Sequence, residues 1–412
     1  MQKRQLNRTG YHFVLMGIGL AGLSLLGLVT IAGDWNSDSD DLGMGASPST
    51  LSARGNTAPQ FVQLDISDTS AKFNAGQLTR TKVATDASGG SKITLSDNRE
   101  RAFPREGDWL SPQVETEMPF TELLPSWNAT TPEQTGVRFD VRVRDAVTGA
   151  WTDWLYIGSW GRTLVDLHRI TESGPAHVRI DELRSSKPAN AYQIRARLYS
   201  FTFDESVVPT IRRVSVCASG PQGSVVAKRD DSMRIAAMAA GNDWRRNLDV
   251  PYRAQGDSPR PLQPQICSPT STSMVLQYWG IDRPTLENAM AIYDGEYDMF
   301  GNWNRAVQRC GELGANGWLT RFRNWDEVHP YIAAGVPVIA SIRFNAGEFP
   351  SSLLKASNGH LIVIRGFNND GDVIVNDPGH RDGGDGAVYK ADELAHAWFD
   401  KGGAGYVILK PD

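Results

Sequence analysis

The sequence predicts a multidomain chain: a membrane anchor or signal, a β-sandwich of jelly-roll type, then an α+β domain. Three observations carry this. An uncharged run extends from Phe13 to Ala32. Short runs within 59–222 alternate apolar and polar residues with period two, as in Val137 to Arg144. From 248 to 412, helical spacing gives way to apolar strand runs. At 412 residues the chain exceeds one small core. Its 40% hydrophobic and 22% charged content is that of globular protein. A net charge of −5 leaves no basic footprint, which argues against nucleic acid as a partner.

Residues 1–33 form the anchor or signal. Lys3, Arg4 and Arg8 precede the apolar run, and Asp34, Asp38, Asp40 and Asp41 follow it. That polarity keeps the N-terminus in the cytoplasm and exports the remainder. The run is long enough to span a bilayer and longer than a usual signal core. Its length favours a retained anchor; cleavage after Thr30-Ile31-Ala32 would instead give a secreted protein. Residues 34–58, rich in Ser, Asp and Gly, read as a flexible stalk.

Residues 59–222 read as the sandwich. Strands are expected at Val137 to Arg144, Trp151 to Ile157, Tyr192 to Leu198 and Ile211 to Val216. The arginines on these strands read as a solvated face. Trp109, Trp127, Trp151, Trp154 and Trp160 invite a carbohydrate or cell-wall ligand, because flat rings stack on sugars; the alternative is that they form the core. Residues 223–247 read as a linker with one short helix.

In residues 248–412, helices are expected at 287–293, 305–313 and 325–334, then strands at 336–342, 361–367, 372–375, 387–389 and 405–409, with a helix at 393–398. Helices first and an antiparallel sheet afterwards define an α+β domain. A further helix begins just after Cys267: Ser268 suits a cap, Pro269 the first turn, and Gly280 the stop. A thiol at a helix start meets unpaired N–H groups and the positive dipole end, which favour thiolate.

A cysteine nucleophile needs a base and a group that orients it. Of seven histidines, His12, His168 and His177 fall outside the third domain, His329 and His396 sit on polar helices, and His380 lies in a glycine-rich loop. His360 opens an apolar strand that turns at Asn368-Asn369-Asp370-Gly371 and returns to Asp377. An even-length loop pairs Ile362 with Asp377, and then His360 and Asp377 are diagonal neighbours on one face. An odd-length loop without a bulge would separate them. Asp382 and Asp385 lack metal-ligand spacing. No cofactor or metal is expected. The three cysteines, Cys217, Cys267 and Cys310, cannot build a disulfide framework.

Leu248-Asp249-Val250-Pro251-Tyr252 with Gln255, Cys267-Ser268-Pro269-Thr270-Ser271, Gly359-His360 and Asn376-Asp377-Pro378 resemble the C-thirty-nine-like cysteine peptidases. That family is related to the bacteriocin (double-glycine) leader peptidases of the papain-like clan. The resemblance covers 248–412 and implies a papain-like domain with Cys267 as nucleophile, His360 as general base and acid, and Asp377 as orienter. It also implies an upstream glutamine that donates to the oxyanion. Gln255 matches by context, though an extra loop, Gly256 to Ile266, separates it from Cys267; Gln263 and Gln265 stand nearer. No phosphate-binding loop accompanies the domain, so the leader substrate does not carry over. A weaker likeness joins Trp109-Leu110-Ser111-Pro112 and Pro125-Ser126-Trp127-Asn128 to galactose-binding-like sandwiches.

The expected function is an exported thiol hydrolase that cleaves peptide or isopeptide bonds, held at the membrane by its N-terminal segment. Two other readings stand beside it: a cell-surface binding protein with an inert peptidase-like domain, and a cysteine-dependent acyl transferase.

Overall fold

The computed structural model describes residues 58–86, 88–96, 103–164, 169–221 and 228–411. The anchor and stalk expectations concern residues outside these. Among the described residues, no helix is long and apolar enough to cross a membrane.

In the first domain the strand Glu182–Ser200 is the spine. It pairs antiparallel with Thr135–Asp145 and Arg105–Leu110, and in part with Val114–Thr130. The apolar positions Val137, Phe139, Val141 and Val143 are buried as expected, and Arg138 and Asp140 between them are buried as well. Trp109, Trp127 and Trp160 join that core. Trp151 and Trp154 do not. The Arg142 guanidinium lies 4.7 Å from each of their ring centroids, and Arg195 lies 4.7 Å from Trp154.

This corrects two expectations. The arginine face is not simply solvated: its guanidinium groups stack on indoles, and Arg138 and Arg195 share the buried Asp140 at 2.9 and 3.0 Å. The strand expected from Trp151 begins only at Leu155 and runs to Gly161, leaving Trp151 a lone bridge to Arg144. In a regular strand, residues three apart point to opposite faces. Two tryptophans stacked on one arginine therefore require the chain between them to leave strand geometry.

The second domain carries a six-stranded antiparallel sheet. Its order is Asn316–Arg321, Ala404–Leu409, Val338–Phe344, Ser357–Phe367, Val373–Asn376, Ala387–Tyr389. Helices Cys267–Tyr278, Thr285–Ile292 and Trp303–Glu312 precede all six of these strands in sequence. Asn316–Arg321 was not anticipated. All six of its residues are buried, because it lies where the two domains meet.

That meeting is hydrogen-bonded through side-chain amides acting as peptide groups. Asn128 donates to the Gly317 carbonyl and accepts from the Gly317 N–H, both at 3.0 Å. Gln308 does the same with Ala129, at 2.8 Å in each direction. Arg321 pairs with Glu122 at 2.8 Å and with Glu182. Buried polar groups demand partners, and here each domain supplies those of the other.

Within the segment expected as a linker with one short helix, residues 228–247 make ordered contacts on both sides of that helix. Lys228–Arg229 pairs parallel to the strand Phe61–Ser67, and Asp231 accepts from Tyr331 at 2.5 Å. The helix Ser232–Ala239 follows, and Asn247 bridges to Gly366. From Lys228 onward this segment is a fixed strap, tied by buried polar contacts.

Candidate active site

The helix Cys267–Tyr278 is buried from Cys267 through Leu276. Its polar residues return to their own helix: Thr270 donates to the Ile266 carbonyl, Thr272 to Ser268 and Ser273 to Pro269. This lets a Ser/Thr-rich helix pass through a core without orphaned hydroxyls. Cys267 is the first helical residue, so its N–H has no acceptor within the helix. Ser268 is no cap, contrary to the sequence reading; its hydroxyl meets that of Tyr406 at 3.1 Å. Ser271, one turn below Cys267, donates to the Leu361 carbonyl at 2.9 Å. That bond fixes the Cys267 helix beside the strand residue following His360.

His360 and Asp377 are both fully buried, and His360 Nε2 lies 2.6 Å from Asp377 Oδ1. The register is the expected one near the site, but for another reason. Phe367 pairs with Val373, which makes the turn odd; a bulge at Arg365 then restores Val363 opposite Asn376. Gly366 permits that bulge, because a Cβ there would stand 2.1 Å from the Arg246 carbonyl oxygen. Arg365 steadies it through Asn247 at 2.8 Å and Asn376 at 2.9 Å.

With Nε2 held by Asp377, the buried Nδ1 has no other hydrogen-bond partner and has the Cys267 thiol as neighbour. Burial disfavours the imidazolium. Asp377 and then Cys267 outweigh burial and push His360 up to about 10. Asp377 is held below its ordinary range despite burial, by His360, Tyr389 and the Gly379 N–H. Tyr389 Oη lies 2.6 Å from Asp377 Oδ2.

The Tyr389 contact escaped the sequence reading. Val373 pairs with Tyr389, so strand parity puts Tyr389 on the face of Asp377. A three-residue strand carries too little pattern to reveal that. Cys217 and Cys310 are buried free thiols, and burial pushes Cys310 up to about 12.

Gln255 is buried, and its N–H donates to the Pro378 carbonyl at 2.8 Å. Gln263 is consumed within its own loop, donating to the carbonyls of Gly256 at 2.9 Å and Ser258 at 2.7 Å. Gln265 is exposed. The extra loop folds as two short turns, Gln255–Asp257 and Gln263–Gln265, and Arg381 holds it through Asp257 at 2.6 Å. Asp385 pairs with Arg365 at 2.8 Å.

Residues 247–405 match the family described as Peptidase_C39 like, and residues 63–219 match the Peptidase C39 N-terminal domain. Among solved structures, the chain is similar to a C39-like peptidase from Bacillus anthracis. That likeness has 18% identity and a TM-score of 0.31, over 40% of this chain and 99% of the other. It is also similar to the C-terminal CBM6 of LamC, a marine laminarinase from Zobellia galactanivorans, at 12% identity and TM-score 0.21, over 37% and 98%. Another is the CBM22-1–GH10 part of a Clostridium thermocellum xylanase complexed with xylohexaose, at 11% and 0.21, over 37% and 28%. No curated protein matches the chain.

Proposed function

We propose that this chain, which belongs to the C39-like peptidase family, is an exported thiol hydrolase acting on peptide or isopeptide bonds. One observation supports the reading: a buried His360–Asp377 pair at 2.6 Å, with the thiol of Cys267, at a helix start, as the neighbour of the other ring nitrogen. Cys267 passes its proton to His360 Nδ1, and the thiolate attacks the scissile carbonyl carbon. The Cys267 N–H and the Gln255 side-chain amide donate to the oxyanion. His360 then protonates the leaving amine. Water, deprotonated by His360, hydrolyses the thioester to a free acid.

Asp377 keeps the imidazole oriented and its tautomer fixed. In this reading the sandwich braces the peptidase domain, a role supported by the amide pairs at Asn128 and Gln308. The segment 13–32 would hold the protein at the outer face of a membrane.

The test is hydrolysis of a mixed peptide library by the wild type and Cys267→Ala. Turnover by the wild type alone is expected; equal turnover by both would sink the assignment. Adding a free amine separates acyl transfer, which would give an amide product where hydrolysis gives only acid.

A further inference from the structure

We propose that Tyr389 is a positioning residue: its hydroxyl holds Asp377 aimed at His360 and ties that aim to the seating of the loop before the His360 strand. The inference rests on the triad reading above. Asp377 has two carboxylate oxygens with separate duties. Oδ1 accepts from His360 at 2.6 Å and from the Gly379 N–H at 2.9 Å; Oδ2 accepts from Tyr389 at 2.6 Å. Tyr389 is fully buried, so no water substitutes for it.

The same hydroxyl oxygen accepts from the Leu353 N–H at 3.3 Å. Nearby, the Ser351 N–H donates to Glu393 at 2.8 Å, and the Lys390 N–H donates to the Ser351 hydroxyl at 2.9 Å. The loop of residues 345–356 thus rests on the strand and helix that flank Tyr389, and it leads directly into the strand bearing His360. The groups facing Asp377 are His360 from its own strand, Cys267 beyond it, Tyr389, and the Tyr252 hydroxyl against the Asp377 carbonyl at 3.0 Å. Tyr389 is the only one of these that donates to the second carboxylate oxygen.

The experiment measures alkylation of Cys267 by iodoacetamide against pH in the full chain, for wild type and Tyr389→Phe. Losing a donor to a buried carboxylate raises its proton affinity. The acid limb should therefore move up by about one pH unit, and the separate loss of aim at His360 should lower the plateau rate above that limb about tenfold. Hydrogen exchange of the peptide containing Leu353 should quicken. Adding Tyr389→Phe to Asp377→Asn should change the rate no further, a comparison that holds even if the single variant is less stable. An unchanged acid limb in Tyr389→Phe, or an additive loss in the double variant, would overturn the role of Tyr389 while leaving the triad intact. Peptide hydrolysis undiminished by Cys267→Ala would instead overturn the triad and this inference with it.

Discussion

Gln308→Met tests whether the sandwich and the peptidase domain unfold as one body. Gln308 is fully buried, and its amide makes two hydrogen bonds of 2.8 Å to the N–H and carbonyl of Ala129 across the interface. Methionine has nearly the same length, so it opens little cavity, but it leaves both backbone groups of Ala129 orphaned. Each buried orphan costs about 1–3 kcal/mol, which puts the loss at about 2–6 kcal/mol. Urea unfolding followed by circular dichroism and by tryptophan fluorescence reads it out, because Trp127 and Trp318 lie on opposite sides of the interface. A single coincident transition at a lower midpoint is expected. A change under about 0.5 kcal/mol, or separate transitions in the wild type, would refute the reasoning.

Two further predictions concern the site. In Gly379→Ala the added methyl carbon would stand 3.1 Å from Asp377 Oδ1 and 3.4 Å from His360 Nε2, which forces the pair apart by a few tenths of an ångström. A loss of about tenfold in kcat/KM on a cleaved peptide is expected; a wild-type value would refute it. The second concerns pH. Because His360 is raised to about 10, its protonated form stabilises the fold fully below its ordinary 6.5, and that contribution is lost as pH rises through about 10. Asp377, held low, contributes above the ordinary carboxylate range and loses its share on acidification. Urea midpoints should fall on the alkaline side in the wild type and less so in His360→Gln; parallel curves would contradict this.

The sequence was most legible where one local pattern decides the outcome. Period-two alternation over Val137 to Arg144 located the strand Thr135–Asp145, and the turn at Asn368-Asn369-Asp370-Gly371 located the hairpin that returns to Asp377. The His360–Asp377 juxtaposition emerged through two departures that cancel: an odd turn and a bulge at Arg365. The bulge is held by Asn247 and by close approach of the Arg246 carbonyl to Gly366, contacts more than a hundred residues distant in sequence. No local pattern encodes them. Asn316–Arg321 was illegible for a related reason. It is buried on all sides by two domains, so it shows no alternation to read. Trp151 and Trp154 carried a strand-like composition that stacking on Arg142 overrode.

In the proposed mechanism His360 activates Cys267. The most direct test is the rate of iodoacetamide modification at neutral pH, mapped by peptide mass spectrometry in the wild type and in His360→Ala. Cys267 should be modified ahead of Cys217 and Cys310, which are more deeply buried, and its rate should fall about 100-fold in His360→Ala. An equal Cys267 rate in both proteins, or a Cys267 as inert as the other two, would contradict it.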